Sequence, residues 1–118
     1  MVDAGNVLFA RIAVSDFQAA QSWYERFFGR PPDVVAHPEE VMWQVTHRGW
    51  LYIVRDADRA GNNGVAIAVP DIQAAKAALD ARGVTTGPID REGDAGWKAV
   101  ALDPDGNSLE IIEVPSDE

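Results

Sequence analysis

Residues 12–20, IAVSDFQAA, return as residues 67–75, IAVPDIQAA, with seven of nine positions identical at an offset of 55. The chain has 118 residues, so that offset is close to half its length. One structural unit is therefore written twice. A solenoid needs three or more copies to close its core, so two copies mean a duplicated supersecondary module. Duplicated modules pair about a pseudo-twofold axis. Equivalent positions from the two halves are then expected to meet, and chemistry is expected where they do.

Each half reads as βαβββ. In the first, residues 7–14 are rich in β-formers and predict a strand. Ser15 or Asp16 caps a helix, and Ser15 with Gln18 three residues later fits a capping box. Phe17, Ala20, Tyr24 and Phe27 or Phe28 share one helical face. Gly29 and Pro31-Pro32 end the helix. Residues 33–36 predict a short edge strand. Residues 41–46 and 50–54 predict a hairpin around the three-residue turn His47-Arg48-Gly49. The polar stretch 56–64 links the halves. In the second half, residues 65–69 predict a strand and Asp71 to Arg82 a helix stopped at Gly83. Residues 84–89 are extended, and 90–96 are rich in turn formers. Strands follow at 97–102 and 108–114, separated by the strong turn Asp103-Pro-Asp-Gly-Asn107. The tail 116–118 is expected to fray.

The chain is expected to be one domain over 1–118, with modules at about 5–59 and 60–115. No run approaches the roughly 20 apolar residues of a membrane span. The N-terminus lacks a secretory pattern and the chain has no cysteine, which excludes disulfides and thiolate chemistry and agrees with a cytoplasmic protein. The net charge is −9, with eight acids and six bases through Arg59 and eleven acids and four bases beyond it. Such a surface repels phosphate backbones, so nucleic acid is not an expected partner, while a cationic small molecule is attracted.

The paired βαβββ units, the V-x-D entry to the first helix and the closing Asp103-Pro-Asp-Gly-Asn-Ser-Leu-Glu-Ile111 resemble the vicinal oxygen chelate superfamily of glyoxalases, bleomycin resistance proteins and dioxygenases. The resemblance implies an α+β fold. Two tandem βαβββ modules would form curved sheets around a cleft, with helices outside. It also implies a homodimer.

In metal-dependent members of that superfamily, four strands supply His and Glu ligands. Carried onto this chain, the first-strand position is Phe9 and the fifth-strand position Gly64, again 55 residues apart. The eighth-strand position is Glu110, and matching Leu51 to Leu109 puts the fourth at Tyr52. A phenyl ring and a bare backbone cannot ligate a cation that normally takes three or more protein ligands. His37 and His47 fall in a loop and a turn. No metal and no other cofactor is therefore expected.

Strand alternation assigns Phe9, Arg11 and Ala13 to the cleft, with Leu8, Ala10, Ile12 and Val14 under the helix. Gln44 is expected opposite Tyr52, sharing its face with Met42, Thr46, Trp50 and Val54. Trp43, Trp50 and Trp97 are candidates to stack on a planar or cationic guest. The expected ligand-binding set is Phe9, Arg11, Trp43, Gln44, Trp50, Tyr52, Trp97 and Glu110, with an Arg11–Glu110 salt bridge across the cleft. Two functions follow. One is a metal-independent binding protein that sequesters a cationic or aromatic drug or metabolite, as in antibiotic resistance. The other is a lyase, isomerase or dioxygenase-type enzyme with Glu110 as general base and Arg11 or Tyr52 steadying an oxyanion.

Overall fold

The computed structural model describes residues 5–115, so the tail at 116–118 lies outside it. Strand β1 (Leu8–Val14) leads to helix α1 (Phe17–Phe28), then to β2 (Val34–His37), β3 (Glu40–Thr46) and β4 (Gly49–Arg55). A 3-10 turn at Ala57–Arg59 precedes β5 (Gly64–Ala68) and helix α2 (Ile72–Ala81). Strands β6 (Asp90–Arg91), β7 (Trp97–Leu102) and β8 (Ser108–Glu113) complete the chain. The sheets have the orders β1-β4-β3-β2 and β5-β8-β7-β6. β1 is parallel to β4 and β5 to β8, and the remaining pairs are antiparallel. The architecture is thus α+β, two tandem βαβββ modules.

The repeat survives in the register. Arg11 lies beside Tyr52 as Ala66 lies beside Glu110. Tyr52 and Glu110 are therefore equivalent, as matching Leu51 to Leu109 predicts.

Phe17, Ala20, Trp23, Tyr24 and Phe27 recur at helical spacing and form the buried stripe of α1. They meet Ile12, Val14, Val41, Trp43, Leu51 and Ile53 from the sheet. Burying each large side chain contributes about 1.5–3 kcal/mol. Ile72 and Leu79 of α2 join Ala99, Ala101, Leu109 and Ile111 in the same continuous core. The modules therefore pack through their helix-covered faces. The opposite face of each sheet carries no helix.

Several expectations change. Asp16 caps α1, accepting from the Ala19 N–H at 3.1 Å, while Ser15 bonds Asp105 instead of forming a capping box. Asp71 caps α2 in the same way. The hairpin turn has two residues, because Thr46 pairs with Gly49 across a bulge. The bulge shifts the register, so Met42 lies opposite Tyr52 and Gln44 opposite Trp50. It also takes Thr46 off the Gln44 face. Asp90 and Arg91, expected in a turn, form β6 against β7. Leu8 shares the side of Ile12 but is 71% exposed, because it precedes the part of β1 that α1 covers.

The Asp103-to-Asn107 turn is a clasp between modules. Asn107 is fully buried. Its amide nitrogen donates to Ala13 O and Asp103 Oδ2, each at 2.9 Å, and its Oδ1 accepts from the Gly61 and Asn63 N–H groups. Asn63 Oδ1 in turn accepts from the Ala13 N–H at 2.8 Å. Ala13 is thereby buried, not on an open cleft face as alternation alone suggests. Asp105 accepts from both the Ser15 N–H and its hydroxyl. Among the described residues no buried side-chain polar atom lacks a partner, as a folded interior requires.

Candidate functional site

The uncovered face of the first sheet gathers most of the expected ligand-binding residues. Phe9 lies beside Trp50, and Arg11 beside Tyr52. Met42 and Gln44 extend the same face across β3, and Val34 extends it across β2. Phe9 stacks on Trp50 with centroids 6.2 Å apart and meets Tyr52 edge-on at 6.5 Å. Phe9 is nonetheless half exposed. An aromatic pair left open to water is costly to hydrate and is a surface that a ligand or another chain can cover.

Glu110 lies on the uncovered face of the second sheet, beside Ala66 and opposite Val100. Gly64, Ala66 and Ala68 give this face a bare strand. Lys98 lies opposite Ile112 on the same face, with its ammonium 2.7 Å from Glu92 and 3.8 Å from Glu110. Glu92, then Glu110 and Asp90, hold that ammonium above its ordinary range. Lys98 is absent from the expected set. The signal for it is alternation along β7, readable only once the β7–β8 register is known.

Two expected tryptophans lie elsewhere. Trp43 is fully buried beneath α1, against Tyr24 and Phe28, and its indole N–H donates to Arg30 O at 3.0 Å. Trp97 pairs with Glu113 and Arg91, on the face of the second sheet opposite Glu110. The Arg91 guanidinium sits 5.3 Å from its ring centroid. Neither indole shares a face with Phe9 or Glu110.

The expected Arg11–Glu110 salt bridge does not form. Arg11 binds Asp56 at 3.0 Å, and Asp56 also takes Arg59. The Asp56 carboxyl is held below its usual range, first by Arg11 and then by Arg59. The two faces belong to different sheets that meet through their covered sides. Tyr52 and Glu110, equivalent in the repeat, therefore do not come together within one chain.

The four positions that the resemblance equates with the superfamily's metal ligands carry Phe9, Tyr52, Gly64 and Glu110. This set offers one phenol and one carboxylate already facing an ammonium. It does not fit a divalent cation. Among the described residues no three His, Asp or Glu side chains gather into a metal site. His37 accepts from the Glu39 N–H through Nδ1, and His47 lies in the exposed hairpin turn.

These observations define a two-module domain with one aromatic and one charged open face, and its family follows. The family model described as Glyoxalase/Bleomycin resistance protein/Dioxygenase superfamily matches residues 6–111, and the chain belongs to that superfamily. A glyoxalase / bleomycin resistance protein from Catenulispora acidiphila is 34% identical over 94% of this chain and 100% of its own, with a TM-score of 0.88. The fold is shared at 18% identity with a bleomycin resistance determinant encoded on transposon Tn5, covering 92% of this chain and 97% of that one at a TM-score of 0.75. It is shared also with a lactoylglutathione lyase from Agrobacterium tumefaciens, at 18% identity, 92% and 93% coverage and a TM-score of 0.74. No curated protein matches the chain. No helix among the described residues is long and apolar enough to cross a membrane.

Proposed function

We propose that this protein is a metal-independent small-molecule-binding protein that sequesters a drug or metabolite on the Phe9–Trp50–Tyr52 face. The observation that carries the reading is that open aromatic cluster, together with the phenyl ring and bare backbone at two metal-ligand positions. Aromatic walls with a few polar groups are the usual lining of such sites. Arg11 and Gln44 supply polarity on the same face. The net charge of −9 favours a cationic guest. The 34%-identical relative is described as a glyoxalase / bleomycin resistance protein, which agrees with this reading.

The protein acts as a homodimer in this reading. Phe9 and Leu102, on the two uncovered faces, are 50% and 60% exposed. A second copy bringing its Glu110–Lys98 face over the Phe9 face would cover both and close the cleft. Light scattering checks this directly, and a monomer at working concentration rejects it.

The decisive experiment is calorimetry with a panel of planar cationic and neutral aromatic compounds, with and without a chelator. Binding that is indifferent to chelator and lost in Phe9→Ala or Tyr52→Ala supports the proposal. Chelator-sensitive binding or turnover overturns it. The Glu110–Lys98 pair favours one alternative, an enzyme in which Glu110 takes a proton and Lys98 steadies the resulting oxyanion. Turnover abolished by Glu110→Gln while binding persists would move the assignment there.

A further inference from the structure

A cavity of about 210 Å³ lies between the modules, with Gln44 and Val45 of β3 on its edge. Phe27, Phe28, Ile67, Val69, Leu79 and Ile111 form its apolar lining. Arg30 and Arg82 also line it, and both line the adjoining surface hollow together with Arg26, Ser22 and Glu25. Their guanidiniums thus stand at the boundary between a greasy interior and a basic surface. Three arginines in one hollow are unusual company in a chain with ten basic residues and a net charge of −9.

Part of that charge has a structural task. Arg82 donates to the Arg26 and Phe27 carbonyls, satisfying the open C-terminal end of α1. Arg30 binds Asp33 at 2.9 Å and Gln44 O at 2.6 Å. The Arg26 guanidinium has no hydrogen bond or ion pair among the described residues. Glu25 is the acid in the hollow, and it accepts from Gln21. The Arg26 guanidinium shares the hollow with Arg30 and Arg82 and is free to pair with a carboxylate. The apolar cavity behind it takes an uncharged tail.

We propose that this junction is a second ligand site, for a small amphipathic carboxylate whose head meets Arg26 and whose tail enters between α1 and α2. It borders the aromatic face at Gln44 but includes none of Phe9, Trp50 and Tyr52. The occupant carries a charge opposite to the guest expected at that face, so the two sites select different chemistry.

The probe is octanoate, followed by calorimetry and by amide NMR shifts, with octan-1-ol as the uncharged control. One octanoate per chain is expected, bound about tenfold or more tighter than the alcohol. Arg26→Gln, on an exposed position of α1, should weaken octanoate about three- to tenfold and leave the alcohol unchanged. Ala78→Phe, which fills the cavity from α2, should abolish both. Shifts should fall on α1 and α2 and spare Phe9 and Tyr52. Non-saturable octanoate binding, equal affinity for the alcohol, indifference to Arg26→Gln, or shifts centred on Phe9 would each overturn the site. A thermal melt of Ala78→Phe separates blocked binding from lost fold. If that variant unfolds, the Arg26→Gln and alcohol comparisons decide alone.

Discussion

The Tyr24 hydroxyl donates a 2.8 Å hydrogen bond to the buried Asp103 carboxylate, joining α1 of the first module to the clasp of the second across 79 positions. Asp103 also receives the Asp105 and Asn107 N–H groups and the Asn107 amide. Tyr24→Phe removes one donor and leaves the carboxylate short by one bond. The expected loss is about 1–3 kcal/mol, read as a lower urea midpoint with an unchanged slope.

The same phenol sets an alkaline limit. Burial first, and the Asp103 charge next, hold the Tyr24 hydroxyl protonated far above its ordinary value. The unfolded phenol ionises near about pH 10, so above that pH the unfolded state binds fewer protons and stability falls as pH rises. The slope from this group is about 1.4 kcal/mol per pH unit. Tyr24→Phe should remove about 1 kcal/mol of that fall between pH 10 and 11, and the full slope above it, measured by urea unfolding at stepped pH. An identical slope in the variant refutes the assignment.

Asn107→Asp is the sharper test of the clasp. It keeps the shape, replaces an amide donor with an acceptor, and puts a second carboxylate beside Asp103. An uncompensated buried charge costs about 3–5 kcal/mol. The variant should melt far below the parent at neutral pH and recover part of the loss in acid. Equal melting points would show that the clasp contributes little.

Trp43 should behave as a core residue. Trp43→Ala is expected to cost about 3–5 kcal/mol in stability. Trp50→Ala, on the open face, should cost much less and instead weaken guest binding. Paired unfolding and titration of the two variants check the division.

Phe9→His combined with Gly64→His, whose Cβ must turn aside the Ser108 hydroxyl that would lie 2.7 Å from it, should create a transition-metal site with Tyr52 and Glu110. In the dimeric reading its ligands come from two chains, so nickel or zinc should bind the dimer and raise its melting temperature. The parent chain should not respond. An unaltered melting temperature in the double variant under saturating metal counts against the cross-chain cleft.

Much of the scaffold is legible because each module announces itself locally. Asp16 and Asp71 mark helix starts, and Gly29, at φ 76°, takes the left-handed cap that ends α1. Placing Trp43 in the binding set with Gln44 goes against alternation, which puts Trp43 in step with buried Leu51 and Ile53 and Gln44 in step with Trp50. Partners across the chain are not legible. Nothing local tells that Asp105 answers Ser15, that Arg11 pairs with Asp56 and not Glu110, or that a bulge moves Met42 opposite Tyr52. Trp97 fails for the same reason: its face depends on β8, and residue type alone does not set that register.

The bare strand β5 carries a consequence for selectivity. Where the first repeat offers a phenyl ring at Phe9 and a cation at Arg11, the second offers a hydrogen at Gly64 and a methyl at Ala66. A molecule held between these surfaces would find grip on one flank and room on the other. It would be recognised by one end and tolerated at the opposite one, so congeners that differ only on the roomy flank should bind alike.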